Sequence, residues 1–274
     1  MIFVKDCLDN KWRKIKQDHF PDGTLLLKTE GISSDIPMRI KWLYENDAEL
    51  FTIICLAKKL EYKNLEIPYC PHARQDRIKH GEDTFTLKYF AEIINSLGFN
   101  LVHILDPHSP VCEALIDRVV VESPKKYIYE AIGEIERDEE LILCFPDAGA
   151  CKRYADMFPR YKYVYGNKVR KWETGEIVGT EIVNPFNVDL TNKTILMIDD
   201  IVSYGGSLKY TADKLKEFNV ETIYAYATHT ENSVLDKEKG TLIKSLEDGT
   251  VERLFTTNSI FNKVHDKIEV IELD

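Results

Sequence analysis

The stretch that decides the fold is Ile195-Leu-Met-Ile-Asp-Asp-Ile-Val-Ser-Tyr-Gly-Gly-Ser207. Its four leading apolar residues predict a buried strand, which ends in two acids before a glycine-containing loop opens a helix. Gly205 and Gly206 allow backbone N–H groups to approach a phosphate, and the helix N-terminus adds a favourable partial charge. The two acids suit ribose hydroxyls or a metal-bridged sugar. A purely structural alternative is an acid pair at a strand end, followed by a helix that Ser207 caps.

Apolar runs alternate with helix-period segments on both sides of this stretch. Strands are predicted at residues 36–44, 65–70, 101–105, 141–145, 194–198, 222–227, 251–256 and 267–273, and helices at 47–62, 85–97, 126–137, 151–157 and 207–218. This alternation implies right-handed crossovers and parallel sheets that are covered on both faces. Because a polar stretch at 122–126 separates two such series, we expect an α/β protein with two doubly wound parallel-sheet lobes, residues 1–124 and 125–274.

The composition excludes several classes of protein. The 274 residues include 46 acids and 36 bases, a net charge of −10, which argues against a nucleic-acid partner. No apolar run is long enough to cross a bilayer, and residues 1–16 lack the apolar core of a secretory signal. The six cysteines form no C-x-x-C pair. We therefore expect a reduced, cytoplasmic protein that has no membrane partner.

Polar residues concentrate at the ends of the predicted strands. Ligands of open parallel sheets bind beyond the carboxyl ends of the strands, so these positions are the candidate site. They are Tyr69-Cys-Pro-His-Ala-Arg-Gln-Asp-Arg77, Asp106-Pro-His108, Pro146-Asp-Ala-Gly149 and Asp199-Asp200.

These segments resemble those of the ribose-phosphate pyrophosphokinases, or phosphoribosyl pyrophosphate (PRPP) synthetases. The loop at 199–207 is similar to the ribose-phosphate loop of these enzymes and of type I phosphoribosyltransferases. Tyr69 to Arg77 resembles the synthetase pattern Tyr-x-Pro-Tyr-Ala-Arg-Gln-Asp-Arg, and Asp106-Pro-His-Ser-Pro110 resembles Asp-Leu-His-Ala-Pro. Further matches are Phe20-Pro-Asp-Gly23, Pro146-Asp-Ala-Gly149 with Lys152-Arg153, Thr228-His229 and Thr257-Asn-Ser-Ile260. The chain is identified as similar to a short member of this family, with lobes of the type I phosphoribosyltransferase kind.

The resemblance implies a role for each matching residue. Lys168 and Arg170 would be the catalytic cations, carried on a mobile loop that closes over the triphosphate; a solvated basic loop is the plainer alternative. Phe20 and Asp22 would contact adenine from a neighbouring subunit, which implies a homodimer or a higher homo-oligomer. The assigned positions are Phe20, Asp22, Arg74, Gln75, Asp76, Asp106 and His108 for ATP; Asp147, Asp199, Asp200, Ser203, Tyr204, Gly205, Gly206 and Ser207 for the ribose phosphate; and His108 and Asp147 for a Mg²⁺ cofactor.

The implied reaction is in-line attack of a sugar C1 hydroxyl on the β-phosphorus of Mg-ATP, with AMP leaving. The protein would position the reactants and stabilise charge, as is usual for phosphoryl transfer. No G-x-x-x-x-G-K-[ST] sequence is present, which argues against a P-loop kinase. Two alternatives are a non-catalytic, synthetase-like regulatory subunit and a phosphoribosyltransferase. The retained cations argue against the first, and the second leaves the matches at 69–77 and 106–108 without a role.

Three positions depart from the family pattern. Ser203 replaces an Asp and Tyr204 a Thr in the ribose-phosphate loop, while Thr24 stands where Glu usually follows Asp-Gly. The loop amides could still bind ribose 5-phosphate. A larger acceptor such as ADP-ribose, which synthetase-like phage NAD-salvage enzymes pyrophosphorylate, is the alternative, because Tyr204 could stack on its base.

Overall fold

The structure is a computed structural model that describes residues 1–135, 141–170 and 177–273, with side chains described at all of these except 168–170 and 177–179. The chain forms two compact units, Met1–Ser123 and Pro124–Asp274. Each unit has its own hydrophobic core. Among the described residues, no helix has the length and apolar character that a membrane crossing needs.

The N-terminal unit is built on a six-stranded sheet in the order β2-β1-β5-β6-β7-β8. Strands β5 to β8 are parallel, β1 is antiparallel to β2 and β5, and β3 and β4 form a separate hairpin. Helix α2 packs its apolar stripe on the core because Leu87, Phe90, Ala91 and Ile94 recur at helical spacing. The elements are β1 (Ile2–Asp6), β2 (Arg13–Lys14), β3 (Gln17–His19), β4 (Leu25–Leu27), β5 (Met38–Trp42), α1 (Glu49–Lys59), β6 (Lys63–Glu66), α2 (Thr86–Ser96), β7 (Val102–Leu105), α3 (Val111–Leu115) and β8 (Val119–Glu122).

The C-terminal unit is built on a seven-stranded sheet in the order β11-β10-β9-β12-β13-β14-β15. All neighbours are parallel except β10 and β11. Residues 195–198 of β12 are fully buried, as expected of a central strand covered on both faces. The elements are α4 (Lys125–Ile135), β9 (Leu141–Phe145), α5 (Ala148–Tyr154), β10 (Tyr163–Arg170), β11 (Ile177–Val183), β12 (Thr194–Val202), α6 (Gly206–Lys216), β13 (Thr222–Thr230), α7 (Leu242–Glu247), β14 (Arg253–Thr257) and β15 (Ile268–Ile271).

The predicted α/β class with parallel sheets is confirmed, but two local predictions are wrong. Strand β12 continues through Val202, so Asp199 and Asp200 lie inside the strand, because β13 pairs with it as far as Thr230. The backbone at 163–170 is a strand rather than a loop, because it pairs with β9 on one side and β11 on the other. The short strands at the start of the chain, β1 to β4, were not predicted.

Candidate active site

The winding of the C-terminal sheet reverses between β9 and β12. The chain moves from β9 to β10 on one side, and from β12 to β13 on the other. Ligands of open α/β sheets bind beyond the carboxyl ends of the strands at such a reversal. Asp147 follows β9 after one proline, and Asp199 and Asp200 lie near the end of β12. The sheet therefore brings these three predicted acids to one edge.

Asp147 is the N-cap of helix α5. Its Oδ1 accepts a hydrogen bond from the Ala150 backbone nitrogen at 3.0 Å. This bond satisfies one of the donors that a helix start leaves without an intrahelical acceptor, and it fixes the carboxylate at the sheet edge. Asp147 thus has a structural role that is compatible with ligand binding.

The two neighbouring acids of β12 have different surroundings. Asp200 is buried, and Arg153 Nη1 lies 3.2 Å from its Oδ2. Burial, followed by the nearby carboxyls of Asp200 and Asp147, raises the pKa of Asp199 well above its usual range. Arg153 compensates the negative charge of Asp200. Asp199 is therefore the acid of the pair whose surroundings most favour a bound cation or hydroxyl groups that donate hydrogen bonds to it.

The loop after β12 has the backbone geometry of an anion cradle. Gly205 has φ +86° and is the N-cap of α6, which starts at Gly206, so the alternative in which Ser207 caps the helix is wrong. A Cβ at position 205 would lie 2.2 Å from Leu242 Cβ, so only glycine fits this conformation and this space. The first N–H groups of α6 have no intrahelical acceptor and carry partial positive charge.

The two side chains at the start of this loop point to different surroundings. The Ser203 hydroxyl donates to Glu231 Oε2 at 2.8 Å. The Tyr204 side chain is 38% exposed, while its backbone carbonyl is hydrogen-bonded to residues 241 and 242. The backbone of the loop therefore keeps the predicted anion-binding geometry although both side chains depart from the family pattern.

In the N-terminal unit, Asp76 joins two strand-end loops. It accepts from Ser109 Oγ at 2.5 Å and from Arg77 Nε at 2.6 Å. The hydrogen bond from Arg77 and the one from Ser109 lower the pKa of Asp76. The loop after β6 and the loop after β7 are thereby tied together by a charge-assisted network.

Four more of the predicted ATP-binding residues, Arg74, Gln75, Asp106 and His108, lie in these two loops. Gln75 Oε1 accepts from Thr86 Oγ1 at 2.8 Å, which places it at the start of α2. Asp106 is buried with φ +42°, whereas Arg74 and His108 are exposed. Asp76 and Ser109 thus bring the four residues into one pair of joined loops.

Phe20 and Asp22 lie elsewhere, in the turn between β3 and β4. Asp22 Oδ1 accepts from the backbone nitrogen and the hydroxyl of Thr24, at 3.0 and 2.7 Å, which lowers the pKa of Asp22. Half of the Phe20 side chain is exposed. The hairpin that carries them is a separate two-stranded sheet, and its turn residues Gly23 and Thr24 line a pocket with Glu45 and Asn46, in the segment after β5.

The backbone of Lys168 and Arg170 lies in β10, where Lys168 pairs with Thr180 and Arg170 with Ile177. Both side chains are outside the described part of the chain. A Cβ at Gly166 would lie 2.4 Å from the Pro146 carbonyl oxygen, so β10 passes directly against the segment that carries Asp147.

A magnesium ion fits the carboxylates of the C-terminal unit. Within the described residues, no group of three or more His, Cys, Asp or Glu side chains could hold a metal ion alone. Mg²⁺ in nucleotide sites usually takes one or two carboxylates, with substrate phosphates and waters completing its shell. Asp147 and Asp199 offer such oxygens, whereas His108 offers a ring nitrogen that Mg²⁺ favours less.

Four residues at these edges were given no role from the sequence. Arg153 was visible as part of a matching block, but its ion pair with Asp200 spans 47 positions. Ser109, Glu231 and Thr241 meet their partners across 33, 28 and 37 positions. No local pattern signals such contacts, because neighbouring strands and loops create them.

Both the sequence and the fold of the chain are similar to those of known proteins. Residues 124–255 match the phosphoribosyl transferase domain family. The chain is 27% identical to a ribose-phosphate pyrophosphokinase of Thermococcus kodakarensis over 82% of this chain and 81% of that protein. It is 26% identical to one of Corynebacterium ammoniagenes over 94% of this chain and 81% of that protein. The crystal structure of a phosphoribosylpyrophosphate synthetase from Mycobacterium smegmatis has the same fold, with a TM-score of 0.76 and 20% identity over 97% of this chain and 88% of that chain.

Proposed function

We propose that this chain, a relative of the ribose-phosphate pyrophosphokinases, is a diphosphotransferase that converts ribose 5-phosphate and ATP to PRPP and AMP. The β,γ-diphosphoryl group of ATP moves to the C1 hydroxyl of the sugar. The bond between the α-phosphate bridging oxygen and the β-phosphorus breaks, and that oxygen leaves with AMP.

One observation supports this proposal above the others: the edge formed by β9 and β12 places acids next to a glycine loop and a helix start. Asp147 and Asp199 suit the sugar hydroxyls, and the backbone at 205–207 suits the phosphate. Such an arrangement holds a phosphorylated sugar by its two chemically different ends.

The remaining predicted residues are assigned to the nucleotide. Arg74, Gln75, Asp76, Asp106 and His108 lie in the two joined loops of the N-terminal unit. Lys168 and Arg170 are proposed to stabilise the charge that spreads over the phosphoryl oxygens during transfer. Asp147 would give a carboxylate oxygen to magnesium, which would neutralise triphosphate charge when bound, whereas the ring nitrogen of His108 is the weaker of the two predicted ligands.

ADP-ribose is a second candidate acceptor. The side chain of Tyr204 is partly exposed beside the loop, and the Ser203 hydroxyl donates a hydrogen bond to Glu231. An exposed aromatic ring at that position could stack on the adenine of a diphosphate-linked acceptor. The C1 hydroxyl oxygen of ADP-ribose would then bond to the β-phosphorus of ATP, AMP would leave with the bridging oxygen, and the hydroxyl proton would go to solvent.

AMP release separates the candidates. The protein is incubated with Mg-ATP and either ribose 5-phosphate or ADP-ribose, and AMP is followed over time. We expect AMP with ribose 5-phosphate and none in the absence of a sugar. AMP with ADP-ribose alone would favour the second acceptor. No AMP with either would favour a regulatory subunit, and consumption of PRPP with a base would favour a phosphoribosyltransferase.

We also propose a homo-oligomer, because Phe20 and Asp22 lie on a hairpin that is not part of the six-stranded sheet, and half of Phe20 is exposed. A neighbouring copy could then receive them. Light scattering of the purified protein tests this, and a strictly monomeric protein with full activity would contradict it.

A further inference from the structure

The carbonyl of Tyr204 is turned away from the loop that follows it. It accepts hydrogen bonds from the Thr241 backbone nitrogen at 2.8 Å, the Leu242 backbone nitrogen at 3.1 Å and the Thr241 hydroxyl at 2.8 Å. A carbonyl oxygen that pointed into an anion cradle would repel the anion. The three hydrogen bonds hold this oxygen away from the anion. They therefore determine which backbone groups of the loop face the anion.

Ser203 is held in a similar way one residue earlier. Its hydroxyl donates to Glu231 Oε2 at 2.8 Å, and Ser233 Oγ donates to the same oxygen at 3.0 Å. The Glu231 backbone nitrogen donates to the Val202 carbonyl at 2.8 Å. The last residue of β12 and the first residue of the loop are thus both bonded to the chain that leaves β13.

Residues 231–242, which we name the support segment, fold back tightly behind the loop. A Cβ at Gly240 would lie 2.4 Å from the Asp236 carbonyl oxygen and 2.7 Å from that of Val234. Val234 and Leu242 are completely buried in the core of the C-terminal unit. Because the support segment is anchored in the core, the groups that it offers for hydrogen bonds to the loop are held in fixed positions.

We infer that the support segment positions the loop at 203–207 for anion binding, with Thr241 and Glu231 as positioning residues. Thr241 fixes the carbonyl of Tyr204, and Glu231 fixes the hydroxyl of Ser203. This inference rests on the proposed function only in taking the phosphate of the acceptor sugar as the anion. Neither residue needs to touch the ligand.

The test is the binding of ribose 5-phosphate, and separately of inorganic phosphate, to the full chain by calorimetry without ATP. Thr241→Val removes one of the three donors to Tyr204 while keeping the shape of the side chain. We expect the Kd for both ligands to rise about fivefold, since one hydrogen bond contributes about 1 kcal/mol. Thr241→Ser keeps a hydroxyl and should bind as the wild type does.

A matched control is Thr250→Val, which removes a threonine hydroxyl bonded to Asp248 in the turn after α7. It should lose stability similarly but leave both Kd values unchanged. For the second positioning residue, Glu231→Ala removes the oxygen that accepts from Ser203 and should weaken binding by a few-fold. Glu238→Ala removes the same charge from an exposed residue of the same segment and should not.

Steady-state kinetics provide a second measurement. In the Thr241→Val protein the KM for the sugar should rise while the KM for ATP stays constant, a split that general destabilisation would not produce. Equal Kd values for Thr241→Val and wild type, or no binding of either ligand by the wild type, would overturn the inference. A wild type that binds phosphate but releases no AMP would instead refute the proposed function and leave the positioning role supported.

Discussion

The two units of this protein prepare their strand-end loops by different means. In the C-terminal unit the loop at 203–207 is shaped by its backbone, through the positive φ of Gly205 and the bonded carbonyl of Tyr204. In the N-terminal unit the loops after β6 and β7 are joined by side chains, through Asp76 and Ser109. A backbone-built loop tolerates new side chains, whereas a side-chain network depends on each member.

This difference accounts for where the chain departs from the family pattern. Ser203 and Tyr204 replace two residues of the ribose-phosphate loop, yet the loop still begins a helix after a glycine with positive φ. Between 69 and 77 the replacements spare Arg74, Gln75 and Asp76. The side chain of Asp76 is hydrogen-bonded to Ser109 in the other loop, and that of Gln75 to Thr86 at the start of α2. We expect substitutions to follow the same rule.

The largest effect is expected at the two cations of β10. Lys168→Ala and Arg170→Ala should each lower kcat by roughly 10²–10³, since they remove a preorganised stabiliser of transferring charge. The KM for the sugar should change little, because we assign sugar binding to the backbone of the loop at 203–207. Lys162→Ala, an exposed lysine just before the strand, is the control. Unchanged turnover in either variant would refute the assigned roles.

The next effect concerns the glycine on which the backbone-built loop depends. Gly205→Ala places a Cβ against Leu242 and strains a φ of +86°, each costing about 1–3 kcal/mol. We expect a lower Tm and binding of ribose 5-phosphate that is weaker by at least about tenfold.

Gly249→Ala is its matched control, because Gly249 has φ +78° with nothing within 4 Å of the new Cβ. Its Tm should fall because of the backbone strain alone, and it should bind the sugar as the wild type does. If the two variants bound the sugar equally well, the loop would not depend on its backbone in the way described.

A smaller effect is expected where side chains join the loops after β6 and β7, to which we assign the nucleotide. Ser109→Ala removes the hydroxyl bond to Asp76 and should raise the KM for ATP at least about fivefold, leaving the KM for the sugar unchanged. Ser96→Ala, which removes a hydroxyl bond to the Ile93 carbonyl at the end of α2, is the control. A rise in the sugar KM instead would mean that the loops after β6 and β7 and the loop at 203–207 do not bind different ligands.

The smallest effect is expected at Asp6, in a turn of the N-terminal unit. Backbone donation from Asp9 and the side chain of Arg13 lower the pKa of Asp6 to about 2. Because the folded pKa lies below the unfolded one, Asp6 stabilises the fold above about pH 4, and this contribution is lost as the pH falls through 2. The stability gap between wild type and Asp6→Asn in denaturant should therefore shrink between pH 5 and pH 2. A gap that stays constant would contradict the assignment.

Much of the candidate site could be predicted because its signals are local. The acids of β12, the glycines after them and the segments at 69–77 and 106–108 are recognisable in the chain itself. The extent of β12 and the strand at 163–170 were missed for a common reason. Each is defined by hydrogen bonds to a neighbouring strand, and the polar residues within them resemble a loop when the neighbour is unknown.

By itself, the sequence determined the class of fold, the order of its motifs and the places where chemistry gathers, since apolar periodicity and glycine placement act over a few residues. Only the tertiary structure decided which polar groups meet. Arg153 forms an ion pair with Asp200, Ser109 donates a hydrogen bond to Asp76, and the support segment donates hydrogen bonds to the carbonyl of Tyr204. These contacts join positions far apart in the chain, and packing and sheet order, which no short window of sequence contains, bring them within bonding distance.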